Sequence, residues 1–117
     1  MSIKEQILET EDREFEAVDV PEWKTTLRIY EMNGTERDAY EATLYEVKGE
    51  KVDVKRDNMR AKLLVHCLYD TDDNRLFSDA DVQALGKKSA KVLDRLYQAA
   101  QRINAMTREN QDLLEKN

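Results

Sequence analysis

The stretch Leu63–Asn104 constrains the fold more than any other, because two apolar runs of helical spacing flank a short acidic loop. In the second run Leu93, Leu96, Tyr97, Ala100 and Ile103 recur at intervals of three and four, which places them on one face of a helix over residues 89–106. In the first run Met59, Leu63, Leu64, Cys67 and Leu68 do the same over residues 57–69. Between them Asp70-Thr-Asp-Asp-Asn74 is a cluster of turn formers. Ser78 then caps a short helix over 79–85, and Gly86 ends it. Each striped helix needs an apolar partner, so the remaining sequence must supply a layer against this pair.

The N-terminal third supplies it. Ser2 and Glu5 have capping-box spacing ahead of Ile3, Ile7 and Leu8, which predicts a short helix over 3–9. Residues 14–20 alternate as a strand does, but Phe15 and Ala17 share one parity while Val18 and Val20 share the other. That slip predicts a bulge near Ala17. Pro21 suits a strand end. Thr25–Met32 reads as a second strand, with Leu27 and Ile29 on one face and Arg28 and Tyr30 on the other, and the PEWK link closes an antiparallel hairpin. After Asn33-Gly34, Thr35 is the expected cap of a helix over 36–48, with Ala39, Tyr40, Thr43, Leu44 and Val47 on one face and Gly49 as its stop. Residues 50–55 read as a charged connector with a short extended piece. The expected fold class is therefore α+β: an N-terminal antiparallel β-hairpin packed against a mainly α-helical bundle. Residues 1–106 form a single domain, and 107–117 a short helical or frayed C-terminal tail. A chain of 117 residues has the length of one domain.

Charge narrows the partners. Nineteen Lys and Arg against 25 Asp and Glu give a formal net charge of −6, the wrong sign for neutralising phosphates. Basic residues are scattered, so nucleic acid is not expected, and neither is an anionic membrane surface. No apolar run approaches the roughly 20 residues a spanning helix needs. The start of the chain lacks the basic-then-apolar order of a secretory signal. Cys67 is the single cysteine, which fits a reducing interior. A soluble, cytoplasmic protein is expected.

Few residues are placed for chemistry. Asp70, Asp72, Asn74, Ser78 and Asp81 have the spacing of positions 1, 3, 5, 9 and 12 of a calcium-binding EF-hand loop. Against that reading, Arg75 stands where the loop needs Gly, and Asp81 is short for the bidentate twelfth ligand. The bland alternative is a turn after one helix, with Leu76 and Phe77 tucked into the core and Ser78 capping the next. The spacing leaves a calcium-responsive or structural adaptor as the alternative function. His66 and Cys67 are neighbours, so on a helix they point about 100° apart and cannot form a dyad. Cys67 is expected in the core and His66 at the surface or an edge. The three glycines are isolated, so there is no phosphate loop. No cofactor and no catalytic residue are expected. Trp23, in the hairpin link, reads as a lid over the core end or as a partner contact. Leu113 and Leu114 follow a polar stretch near the C-terminus, where little is left to cover them.

One resemblance runs through these residues. The order of Lys4-Glu-Gln-Ile-Leu8, Val18-Asp-Val-Pro-Glu-Trp23, Gly34-Thr-Glu-Arg-Asp38 and Asp73-Asn-Arg-Leu-Phe77 resembles the tail assembly chaperones of long-tailed (siphovirus-type) bacteriophages and prophages. Asp79-Ala-Asp-Val-Gln-Ala-Leu-Gly86 and Leu93-Asp-Arg-Leu96 fit the same pattern, so the likeness spans about residues 2–104. The resemblance implies a non-enzymatic protein of the host cell cytoplasm, active during tail morphogenesis and absent from the mature virion. Its implied partners are the tape measure protein, the major tail tube protein and a longer frameshifted form of itself, with a homo-oligomer left open. In that scheme the frameshift junction falls near Arg108–Asn117. The candidate partner contacts are Trp23, Phe77, Leu113 and Leu114.

Overall fold

The computed structural model describes residues 2–106; the expected tail 107–117, with Leu113 and Leu114, lies outside them. The chain opens with α1 (Ile3–Glu9), started by Ser2, whose Oγ accepts from the Glu5 N–H at 3.1 Å. None of its residues is buried. β1 (Phe15–Val20) and β2 (Thr25–Tyr30) then pair antiparallel in unbroken register, from Phe15 opposite Tyr30 to Val20 opposite Thr25. The bulge expected near Ala17 is absent. Val18 and Val20 face inward with Glu16, whereas Phe15 lies on the outer face against the Tyr30 ring at 5.1 Å, with the Arg28 guanidinium 4.5 Å from its own centroid. An aromatic residue satisfied on the outer face removes the need for a phase change. A 3₁₀ turn at Pro21–Trp23 and Lys24 at φ 57° close this hairpin.

Asn33, not Thr35, caps α2 (Gly34–Ala42): its Oδ1 accepts from the Glu36 N–H at 2.8 Å. The helix ends at Ala42 rather than Lys48. The chain instead makes a second antiparallel hairpin, β3 (Tyr45–Lys48) with β4 (Lys51–Val54), so the charged connector is a strand. Two periods compete here. Tyr40, Leu44 and Val47 fit a helix, but Tyr45, Val47, Val52 and Val54 also alternate about Gly49, whose φ of 64° suits a two-residue hairpin turn. β-branched valines on both sides favour the strand.

α3 (Met59–Cys67) is the centre of the molecule. Its residues Ala61 to Cys67 are all buried, including His66 at 4% exposure, so the surface or edge position expected for His66 is wrong. From Ala61 on the helix is buried on every side, so that part of it has no edge. The chain then straightens into β5 (Leu68–Tyr69), two residues earlier than the expected helix end, and pairs with β2 to complete a sheet of order β1-β2-β5. A 3₁₀ turn at Asp79–Asp81 leads into α4 (Val82–Gly86), and Ser89 caps α5 (Ala90–Ile103). Gly86 sits where α4 meets the start of α3, and a Cβ there would run into the Asn58 side chain. α5 ends in a Schellman motif: Met106 N–H donates to Gln101 O at 2.8 Å, Ala105 N–H to Arg102 O at 3.1 Å, and Ala105 is left-handed at φ 52°.

The core lies between the inner sheet face and the helices. Val20, Leu27 and Ile29 meet Leu63, Leu64 and Cys67 of α3 and Leu93, Leu96 and Ala100 of α5. Tyr97 and Ile103, the rest of the predicted stripe, pack at its margin. Each fully buried Leu or Ile contributes about 1.5–3 kcal/mol against leaving it in water. No helix among the described residues is long and apolar enough to cross a membrane.

Candidate docking surfaces

Trp23 and Phe77, far apart in sequence, line one open apolar cleft of about 310 Å³, together with Ala84 and Leu85 and with Asp81 and Lys88 at its rim. Trp23 is carried by the 3₁₀ turn of the first hairpin. That turn is fastened to α5 by a two-pronged pair, Arg95 Nη1 and Nη2 each donating to a Glu22 carboxylate oxygen at 2.8 Å. Those hydrogen bonds hold the Glu22 carboxyl down to about 2. Phe77 is held from the other side, because Leu76 N–H donates to Leu68 O at 3.1 Å and Arg75 Nε donates to Val65 O at 2.8 Å. Both rings pack partly on the core and partly face solvent. Leu76, expected in the core with Phe77, is 40% exposed. The cleft has the makings of a receptor for an apolar side chain: a rigid apolar floor with one charge of each sign at its mouth.

The acidic loop is organised by its own hydrogen bonds. Asp70 Oδ1 accepts from the Asp72 and Asn74 N–H groups, each at 2.9 Å, and Oδ2 from Asn74 Nδ2 at 3.3 Å. The Asn74 backbone bond is the chief reason its carboxyl is held below the ordinary range. Asp73, left-handed at φ 65°, accepts from Tyr30 Oη at 2.6 Å and pairs with Arg28, which ties the loop to the outer sheet face. Asp81 Oδ2 accepts from the Ser78 N–H at 2.8 Å. Asp70 and Asp81 are thus engaged in turn and cap. Among the described residues no three His, Cys, Asp or Glu side chains converge as a metal site would require.

His66 and Cys67 diverge. His66 Nε2 lies 3.3 Å from Asp79 Oδ1, with Arg75 Nη2 3.4 Å from Nδ1, and burial pushes its pKa down. Cys67 accepts from Asn104 Nδ2 at 3.6 Å, and burial pushes the thiol up to about 12. Among the described residues the two side chains meet different partners and not each other.

Two apolar surfaces escaped the reading of the sequence as surfaces. On the second hairpin Val47 is 72% exposed and Val52 56%. On α1 Ile3, Ile7 and Leu8 are 65–77% exposed. Alternation about Gly49 was the available signal for the first. For the second it was the shortness of the helix, since seven residues cannot be stable without a partner.

The chain resembles known proteins in sequence profile and in fold. The sequence profile of the phage tail assembly chaperones matches residues 2–113. The fold is similar to that in the structure of the bacteriophage HK97 tail assembly chaperone, with a TM-score of 0.62 over 86% of this chain and 95% of that one, at 20% sequence identity. At that identity the likeness is one of fold. No curated protein matches the chain.

Proposed function

The chain belongs to the phage tail assembly chaperone family, and we propose that it acts by binding, without catalysis, on a tape measure protein while a phage tail is built. The observation that carries this reading is the cleft between Trp23 and Phe77. A long helical partner offers apolar side chains at intervals of three and four, and such side chains are what an open apolar cleft on a rigid body accepts. The net charge of −6 keeps the chaperone itself dispersed and discourages indiscriminate association. In this reading it also helps recruit the major tail tube protein, works in the host cell cytoplasm beside a longer frameshifted form, and is left out of the finished virion.

Co-expression with a tape measure protein tests it. The tape measure is expected to stay soluble, in a complex of defined stoichiometry, only when this chain is present. Trp23→Ala combined with Phe77→Ala is expected to weaken that complex at least about tenfold, as the loss of buried aromatic anchors does, while circular dichroism shows the fold retained. A tape measure that aggregates regardless removes the function. A complex indifferent to the double substitution removes the cleft from it.

A further inference from the structure

The second hairpin, β3 with β4, is charged against itself. Its register sets Glu46 opposite Asp53 and Lys48 opposite Lys51, two like pairs on one face, while Tyr45, Val47, Val52 and Val54 share the other. Like charges directly opposite destabilise a strand pair. Lys48 Nζ reaches Glu46 along its own strand, at 3.8 Å. The edges of the hairpin also carry unpaired backbone. Lys55 N–H donates to Leu44 O at 2.7 Å, which continues the register by one rung. Hydrogen-bonded rungs alternate along an antiparallel pair, so Glu46 with Asp53 and Lys48 with Lys51 bond across it, and Tyr45, Val47, Val52 and Val54 turn their N–H and C=O groups outward. Among the described residues no further strand meets either edge. All four residues of β3 are exposed, whereas Val54 of β4 is partly buried.

The strand that complements β3 is β3 itself, reversed. Where two β3 strands run antiparallel about Val47, Glu46 falls opposite Lys48 of the second copy, and Lys48 opposite its Glu46. These are non-hydrogen-bonded pairs, in which Cα atoms approach to about 4.5 Å and side chains meet most closely. Val47 exchanges both outward backbone bonds with its own counterpart. Tyr45 lies opposite Gly49, where a ring covers bare backbone. Across the four strands each charged row then reads acid, acid, base, base, and Val52, Val47, Val47, Val52 form one apolar row. Centring the pair on Glu46 would set that residue against itself, so charge fixes the register. An edge lysine ordinarily keeps other strands away. With Glu46 two residues before it, Lys48 favours a strand that bears the same order reversed. Residues 45–55 hold three acids and three lysines, a neutral patch on a chain of net charge −6, so two copies meet here without adding to their repulsion. We propose that β3 docks antiparallel on β3 of a second copy of this chain, with Val47 on the two-fold axis and a Glu46–Lys48 pair on either side. This goes beyond the chaperone reading and is independent of it.

Sedimentation velocity over a concentration series tests the pairing on the full chain. The parent is expected to pass from monomer to dimer. Glu46→Lys alone, or Lys48→Glu alone, should raise the dissociation constant at least about tenfold, since each turns both crossing pairs from attractive to repulsive. Each also relieves a like pair inside its own hairpin, so a weaker hairpin is no explanation of the loss. Mixing the two variants should restore association as a heterodimer, because both crossing pairs are then opposite in sign again. Amide exchange read by NMR gives the place: the Tyr45 and Val47 amides should slow as concentration rises, and those of Val52 and Val54 should not. A parent that stays monomeric at every concentration overturns the proposal, as does a dimer indifferent to either substitution or a mixture that fails to recover it. Protection at β4 instead, or at β3 only when an extended peptide of another protein is added, assigns the edge elsewhere and also overturns it. If a single variant loses the protection of its α3 amides, and so its fold, the double exchange Glu46→Lys with Lys48→Glu decides. It keeps both crossing pairs and should dimerise as the parent does; a monomeric double variant refutes the pairing.

Discussion

The molecule contains two antiparallel hairpins that differ in almost everything except their pairing. In the first, β1 with β2, alternate residues Val18, Val20, Leu27 and Ile29 enter the core, a third strand extends the sheet, and Arg95 of α5 clasps the turn through Glu22. In the second, β3 with β4, Val47 and Val52 point to solvent, and among the described residues the sheet has only two strands. Local alternation and a suitable turn residue are enough to make a hairpin. Whether its apolar face is held depends on what the chain places opposite, and an isolated two-stranded unit is marginal alone. The first hairpin is thus part of the cooperative body, while the second should open without it.

Substitution separates the two most sharply. Ile29→Ala, at a fully buried position, is expected to cost about 2–5 kcal/mol in denaturant unfolding, whereas Val47→Ala should stay within about 0.5 kcal/mol. Comparable losses would mean that the second hairpin is cooperative after all. Gly49→Ala places a side chain at φ 64° and is expected to cost about 1 kcal/mol, but only locally. Amide exchange across β3 and β4 should quicken while the global unfolding midpoint holds. A fall in the midpoint of matching size would couple the hairpin to the core.

The smallest expected effect concerns the clasp on the first turn. The Glu22 carboxyl is held at about 2 against an ordinary 4.5. Its folded pKa is depressed, so the contribution is fully present above pH 4.5 and is lost as the pH falls through 2. The difference in melting temperature between the parent and Arg95→Gln should therefore be constant near neutrality and close in acid, and it should shrink with salt because the pair is exposed. A difference that persists at pH 2 would assign the role of Arg95 to packing of its stem.

The sequence made the embedded half legible and the projecting half not. Leu93, Leu96 and Ala100 announced α5 because burial writes a periodic stripe, and Val18, Val20, Leu27 and Ile29 announced the first hairpin for the same reason. The expected α+β architecture of a hairpin against helices is the one observed. Residues 43–54 defeat a helical reading because Tyr40 and Leu44 do enter the core, while Val47, which continues their period, is exposed on a strand. His66 was misplaced because the pattern of one helix does not reveal how many neighbours surround it. That Trp23 and Phe77 share a cleft could not be read at all, since their meeting depends on the Arg95 clasp and on the turn after β5. The Asp70–Asp81 spacing was visible, but spacing alone does not tell a metal loop from a turn whose Asp70 caps its own backbone.

The burial of Cys67 has a practical consequence. It is the chain's sole thiol, fully enclosed within α3 and with its ionisation pushed up to about 12. A thiol-directed dye should therefore find nothing to react with in the native protein. Labelling requires the helix at the heart of the fold to open, and its rate, in mild denaturant or in the presence of a partner, clocks how often the whole domain comes apart.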